Sequence, residues 1–66
     1  MRIFVNGKEQ TFAKGITVSG LLELLNIKLH GIAVELNLEI VPKSRYAETV
    51  LRDSDKIEIV QMVGGG

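Results

Sequence analysis

Sixty-six residues allow one domain and no second core, and a chain of about this length buries only roughly 60% of the surface it exposes when unfolded. At 45% hydrophobic it has enough for a core and too much for a disordered chain; with no cysteine it has no disulfide framework, thiolate metal site or thiol nucleophile. Eight basic and eight acidic residues cancel, which removes any global attraction to nucleic acid or anionic lipid, and one Tyr, two Phe and no Trp make a poor base-stacking platform.

Met1 to Val5 alternates, with Ile3 and Val5 on one face and Arg2 and Phe4 on the other. Asn6-Gly7 follows, the dipeptide best suited to a two-residue hairpin because both residues tolerate positive φ. Lys8 to Phe12 then returns as a second, more polar strand. After a connection through Lys14-Gly15, Thr17 is the expected N-cap of a helix of two to three turns. Val18, Leu21, Leu22 and Leu25 form its apolar stripe, and Asn26 is its stop. Gly20 costs such a helix up to about 1 kcal/mol relative to Ala, which suggests a position where helix and sheet approach closely.

Ile27 to Gly31 is a loop, and Ile32, Val34 and Leu36 share one face of a third strand. Asn37 begins a turn, and Glu39 to Val41 forms a short arm that Pro42 confines to an edge. Lys43 to Val50 is expected to be irregular or one helical turn, and Leu51 to Asp55 a tight turn. Lys56 to Val63 is the last strand, with Ile57 and Ile59 inward, and it leads directly into Gly64-Gly65-Gly66. The expected division is a domain over 1–63 and a glycine tail over 64–66. Hairpin, helix, short hairpin, turn and strand in that order suit an α+β fold: a mixed sheet of four or five strands with one helix on one face. If the last strand pairs parallel with the first, this is the ubiquitin-like β-grasp arrangement.

No enzymatic constellation is present. Asp53 and Asp55 suit turn chemistry better than paired acid–base work. His30 has no companions to complete a metal shell, and Ser19 and Ser44 have no base partner. Gly15 and Gly20 are isolated and cradle no phosphate, and Lys43 and Arg45 suit a solvated loop. Neither a metal nor a cofactor is expected to bind. No apolar run approaches membrane-spanning length, and Met1-Arg2 leads into a short alternating segment, not a signal-peptide apolar region. The expected compartment is therefore the cytoplasm. Two features point outward to partners. Phe4, Val60 and Met62 project from the sheet face opposite the helix, beside Arg2 and Glu58, as a candidate docking patch or a small secondary core. The three final glycines give either a frayed end or a thread slim enough to enter another protein and present an unhindered carboxylate.

Val5-Asn6-Gly7, Thr17-Val18 before Leu21-Leu22, and Val34 to Asn37 running to Val41-Pro42 are family features. So are Leu51, Asp53 and Asp55 before Ile57-Glu58-Ile59, and the closing Gly65-Gly66. Together they resemble the ThiS family of ubiquitin-like sulfur carriers of thiamine (thiazole) biosynthesis, over essentially the whole chain. The resemblance implies a carrier, not an enzyme. Its Gly66 carboxylate would be adenylated by a ubiquitin-activating-like adenylyltransferase using ATP and Mg²⁺. Sulfur drawn from cysteine through a desulfurase would make a thiocarboxylate, and thiazole synthase would receive that sulfur. Gly64 and Gly65 would supply reach. The small subunit of molybdopterin synthase, a ubiquitin-like protein modifier and a plain interaction domain are the alternatives; the short Lys43–Val50 segment favours the thiazole carrier over the first. Leu38 and Ser54 depart from the family, standing where glycine is common. The Leu38 hairpin must therefore use another turn type or be strained.

Overall fold

Asn6 and Gly7 sit at φ 50° and 82°, the left-handed pair of a type I′ turn, whose twist matches that of the strands it joins. This turn closes β1 (Arg2–Val5) onto β2 (Lys8–Thr11), with Val5 opposite Lys8. The computed structural model describes residues 1–62. Over them the order continues with α1 (Val18–Leu24), β3 (Ile32–Leu36), β4 (Glu39–Val41), a 3₁₀ turn (Lys43–Arg45) and β5 (Asp55–Gln61). The sheet runs β2-β1-β5-β3-β4, so β5 lies at its centre. It is parallel to β1, with Phe4 opposite Lys56, and antiparallel to β3. This is the five-stranded mixed sheet with one helix expected from the element order.

One face of the sheet and the helix share the core. Ile3, Val34 and Ile57 are fully enclosed with Val18, Leu21 and Leu22 of α1, and Ile59 packs against them. Val5 and Ile32 complete the sheet side. Phe12, just past the polar β2, turns inward and is buried. Two further core members come from the segment read as irregular and the turn after it: Tyr46 is 4% exposed and Leu51 2%.

The Lys43–Leu51 segment is drawn in because it caps the helix. The first N–H groups of a helix have no partner within it. Val18 N–H donates to the Thr49 carbonyl, Ser19 N–H to that of Tyr46, and Gly20 N–H to the Thr17 hydroxyl at 3.1 Å. Thr17 is therefore the N-cap, as its side chain suggested. Gly20 serves this cap and not the sheet. A Cβ there would lie 3.2 Å from Ile16 Cγ1 and 3.3 Å from Thr17 Oγ1, with no sheet atom among the nearest neighbours. At the other end Asn26 takes φ 57°, Ile27 N–H bonds to the Leu22 carbonyl and Asn26 N–H to that of Glu23. That is a Schellman closure, with Ile27 packed against the core.

The second hairpin resolves the Leu38 question. Asn37 and Leu38 take φ 50° and 72°, so the turn keeps positive φ at both central positions and holds a leucine where glycine is unstrained. Ser54, also at φ 72°, is in the same position in its own turn.

Candidate functional site

β5 is the element that leads toward the C-terminus, and the fold fastens it along its length. Asn6, in the first hairpin turn, uses its side chain as a surrogate strand residue. Ile59 N–H donates to Asn6 Oδ1 at 2.7 Å, and Asn6 Nδ2 donates to the Ile59 carbonyl at 3.2 Å. Asn37, in the second hairpin turn, grips the other end. Lys56 N–H donates to its Oδ1 at 3.0 Å, its own N–H donates to the Lys56 carbonyl, and its Nδ2 donates to Asp55 Oδ1. Both turn asparagines thus extend the ladders of β1 and β3 beyond their last residues. Met62 N–H, donating to the Gly31 carbonyl at 2.8 Å, carries that anchoring to the end of the described chain. Gly64, Gly65 and Gly66, expected to form the reacting tail, lie outside the described residues, as does Val63, expected to end the last strand.

The two aspartates before β5 are absorbed by turn chemistry. Asp55 Oδ2 accepts from Arg52 N–H at 2.8 Å, and Asp53 Oδ1 accepts from Arg2 N–H at 2.7 Å. The Arg2 N–H bond, aided by the nearby Arg2 guanidinium and the Ser54 hydroxyl, holds the Asp53 carboxyl below the usual carboxylate range against a smaller opposing desolvation. Ser54 N–H returns a bond to the Arg2 carbonyl, so this turn ties the start of β1 to the approach of β5. Arg45 pairs with Glu48 at 3.1 Å, and His30 is exposed. Among the described residues no group of three or more His, Asp or Glu side chains is placed to hold a metal ion. No described helix is long and apolar enough to cross a membrane.

The face opposite the helix carries the expected docking residues, but not as one patch. Val60 is 48% exposed and Met62 64%, two residues apart on the same side of the chain, with Ala33 directly opposite Val60 on β3. Phe4 is half-buried opposite Lys56. Val60 lies four residues further along β5, about 13 Å at the usual strand rise of roughly 3.3 Å per residue. Phe4 instead floors a separate depression of about 470 Å³, lined with Gly7, Lys56, Ile57 and Glu58. Between the two apolar areas stand Glu58 and, opposite it on β3, Glu35. Ile40, 71% exposed on β4 and paired with Glu35, extends the face to the sheet edge. The sequence gives no sign of Ala33, Glu35 and Ile40 as part of this face, since only the strand register brings them beside Glu58 and Val60.

A five-stranded mixed sheet with a parallel β1–β5 pair and a single helix on one face defines a ubiquitin-like β-grasp domain. Comparison with known proteins narrows this. The ThiS family model matches residues 3–66. The sulfur carrier protein ThiS of Escherichia coli is 36% identical over 66 residues, covering all of both chains. The crystal structure of a thiamine biosynthesis protein (ThiS) from Geobacter metallireducens superposes with a TM-score of 0.88 at 33% identity, again over the whole of both chains. A thiazole synthase of Paramagnetospirillum magneticum is 48% identical over this entire chain, which spans only 20% of that protein's length. The chain belongs to the ThiS family.

Proposed function

We propose that this chain is a sulfur carrier of thiamine biosynthesis, acting as a protein substrate and not as a catalyst. A carboxylate is a poor electrophile, and its oxygen a poor leaving group. Attack of a Gly66 carboxylate oxygen on the α-phosphorus of ATP, with Mg²⁺ in a ubiquitin-activating-like adenylyltransferase, expels pyrophosphate and leaves an acyl-adenylate. A sulfur nucleophile drawn from cysteine by a desulfurase then attacks the acyl carbon and displaces AMP. The resulting C-terminal thiocarboxylate is the form from which thiazole synthase takes sulfur. Asn6, Asn37 and the strands beside β5 contribute mechanically, by holding that strand at the centre of the sheet. Gly64 and Gly65 add no side chains beside the reacting carbon. All these partners are enzymes of the cytoplasm in this reading.

The observation that carries the reading is the family match, because it runs through the three glycines to residue 66. The strand that precedes those glycines is bound on both sides, by β1 and β3. The test is complementation. In a strain lacking its own thiazole sulfur carrier, the full chain restores growth without thiamine, and the chain shortened by Gly65 and Gly66 does not. Rescue by the shortened chain would refute the reading, and rescue of molybdenum-enzyme activity instead would move it to the other pathway.

A further inference from the structure

Glu35 and Glu58 stand directly opposite each other on adjacent strands, on the solvent face of the sheet. Side chains so placed have Cβ atoms about 4.5–5.5 Å apart, and like charges there are destabilising. Neither carboxylate forms an ion pair among the described residues, where the pairs found are Arg2–Asp53 and Arg45–Glu48. Glu9, opposite Phe4 on β2, adds a third acidic group to this face, against Lys56 and an Arg2 already engaged by Asp53. The isolated domain thus keeps an uncompensated acidic pair flanked by apolar surface on three sides: Phe4, Val60 with Ala33, and Ile40. An arrangement that opposes the fold of the free chain suits a single cation arriving from outside, with an apolar rim to exclude water around it.

Chain length limits who brings it. Gly66 is four residues beyond Met62, a covalent reach of at most about 14 Å at roughly 3.3–3.6 Å per residue. An enzyme that takes sulfur from Gly66 at an enclosed centre therefore meets the domain beside the end of β5, where Val60 and Met62 are exposed. In the Paramagnetospirillum magneticum relative, a segment like this one and thiazole synthase form one polypeptide, so the two are held together for their work.

We propose that the outer sheet face docks thiazole synthase, and that Glu35 and Glu58 together receive one lysine or arginine side chain of that enzyme. The inference rests on the carrier reading above. The test uses the full chain and thiazole synthase from the same organism, with binding followed by biolayer interferometry at low and high salt. The variants are E58Q, the E35Q/E58Q pair, and E23Q on the exposed side of the helix as control. Thermal unfolding is measured on each. The double variant is expected to bind roughly tenfold more weakly and to lose most of the salt dependence of association, as removal of a charged contact requires. Its thermal midpoint should equal or exceed that of the parent chain, because a repulsive pair has gone. E23Q should bind as the parent does. Binding of E35Q/E58Q within about twofold of the parent would overturn the inference. So would a change confined to self-association of the free chain, which would assign the face to a second copy. Thiocarboxylate formation on the parent chain, read by mass, reports the carrier reading separately. If it forms while the double variant binds thiazole synthase normally, only the inference fails.

Discussion

Replacing Asn6 separates the two things that residue does for β5. Its side chain makes two hydrogen bonds to the Ile59 backbone, at 2.7 and 3.2 Å, and its backbone occupies φ 50°. In N6G the positive φ is kept and both bonds are lost. At about 0.5–1.5 kcal/mol for a typical bond, N6G should cost about 2 kcal/mol. In N6A the same bonds are lost and an alanine is forced into the left-handed region, adding about 1 kcal/mol. A small domain without disulfides or metal has only about 3–5 kcal/mol to lose, so N6G should sacrifice roughly half of its stability. Urea unfolding followed by circular dichroism measures both variants. Amide hydrogen exchange at Ile59 and beyond should quicken in N6G more than exchange at Leu21 of the helix. The reasoning is refuted if N6G matches the parent chain within about 0.5 kcal/mol, since the side-chain bridge would then carry nothing. Equal stability of N6A and N6G would refute the positive-φ component alone.

Three further outcomes follow from the same geometry. L38G should stabilise the domain by about 0.5–1 kcal/mol in urea unfolding, since a leucine that is 87% exposed gives up little packing and its φ of 72° is one glycine adopts freely. T17A removes the hydroxyl that caps Gly20 and should cost about 1 kcal/mol, with the loss of helical signal preceding any loss of the hairpins in hydrogen exchange. Asp53 titrates below the ordinary range in the folded chain, so its contribution to stability is present above the unfolded carboxyl value near pH 4 and is lost as pH falls through the lower folded value. D53N should accordingly flatten the stability profile below about pH 4, and a carboxyl resonance of Asp53 titrating at or above the unfolded value would contradict it.

Features encoded within a few residues were legible in the sequence. Asn6-Gly7 specified its turn, the Val18–Leu25 spacing its helix, and Thr17 and Asn26 the helix ends, because each depends on neighbours in the chain. Leu38 showed in advance that the second hairpin would be strained if it kept the usual turn. Tyr46 and Leu51 gave no such signal. They are buried because Thr49 and Tyr46 lend carbonyls to the start of α1, a contact between segments about thirty residues apart that no periodicity announces. The asparagine clamps on β5 were hidden for the same reason: Asn6 and Ile59 meet only once β1 and β5 are parallel neighbours. The outer face was half legible. Alternation placed Phe4, Val60 and Met62 on the correct side, but only the register shows that Phe4 stands apart from the other two with an acidic pair between.

The central claim is that Gly66 is the reacting group, and intact mass after incubation tests it most directly. The chain is mixed with ATP, Mg²⁺, cysteine and an extract competent in thiamine synthesis, alongside the version lacking Gly65 and Gly66. The account predicts a mass gain equal to replacement of one oxygen by sulfur, found in the full chain and absent from the shortened one. Covalent ladders to other proteins, or an unchanged full-length mass in an extract that activates a known carrier, would contradict it.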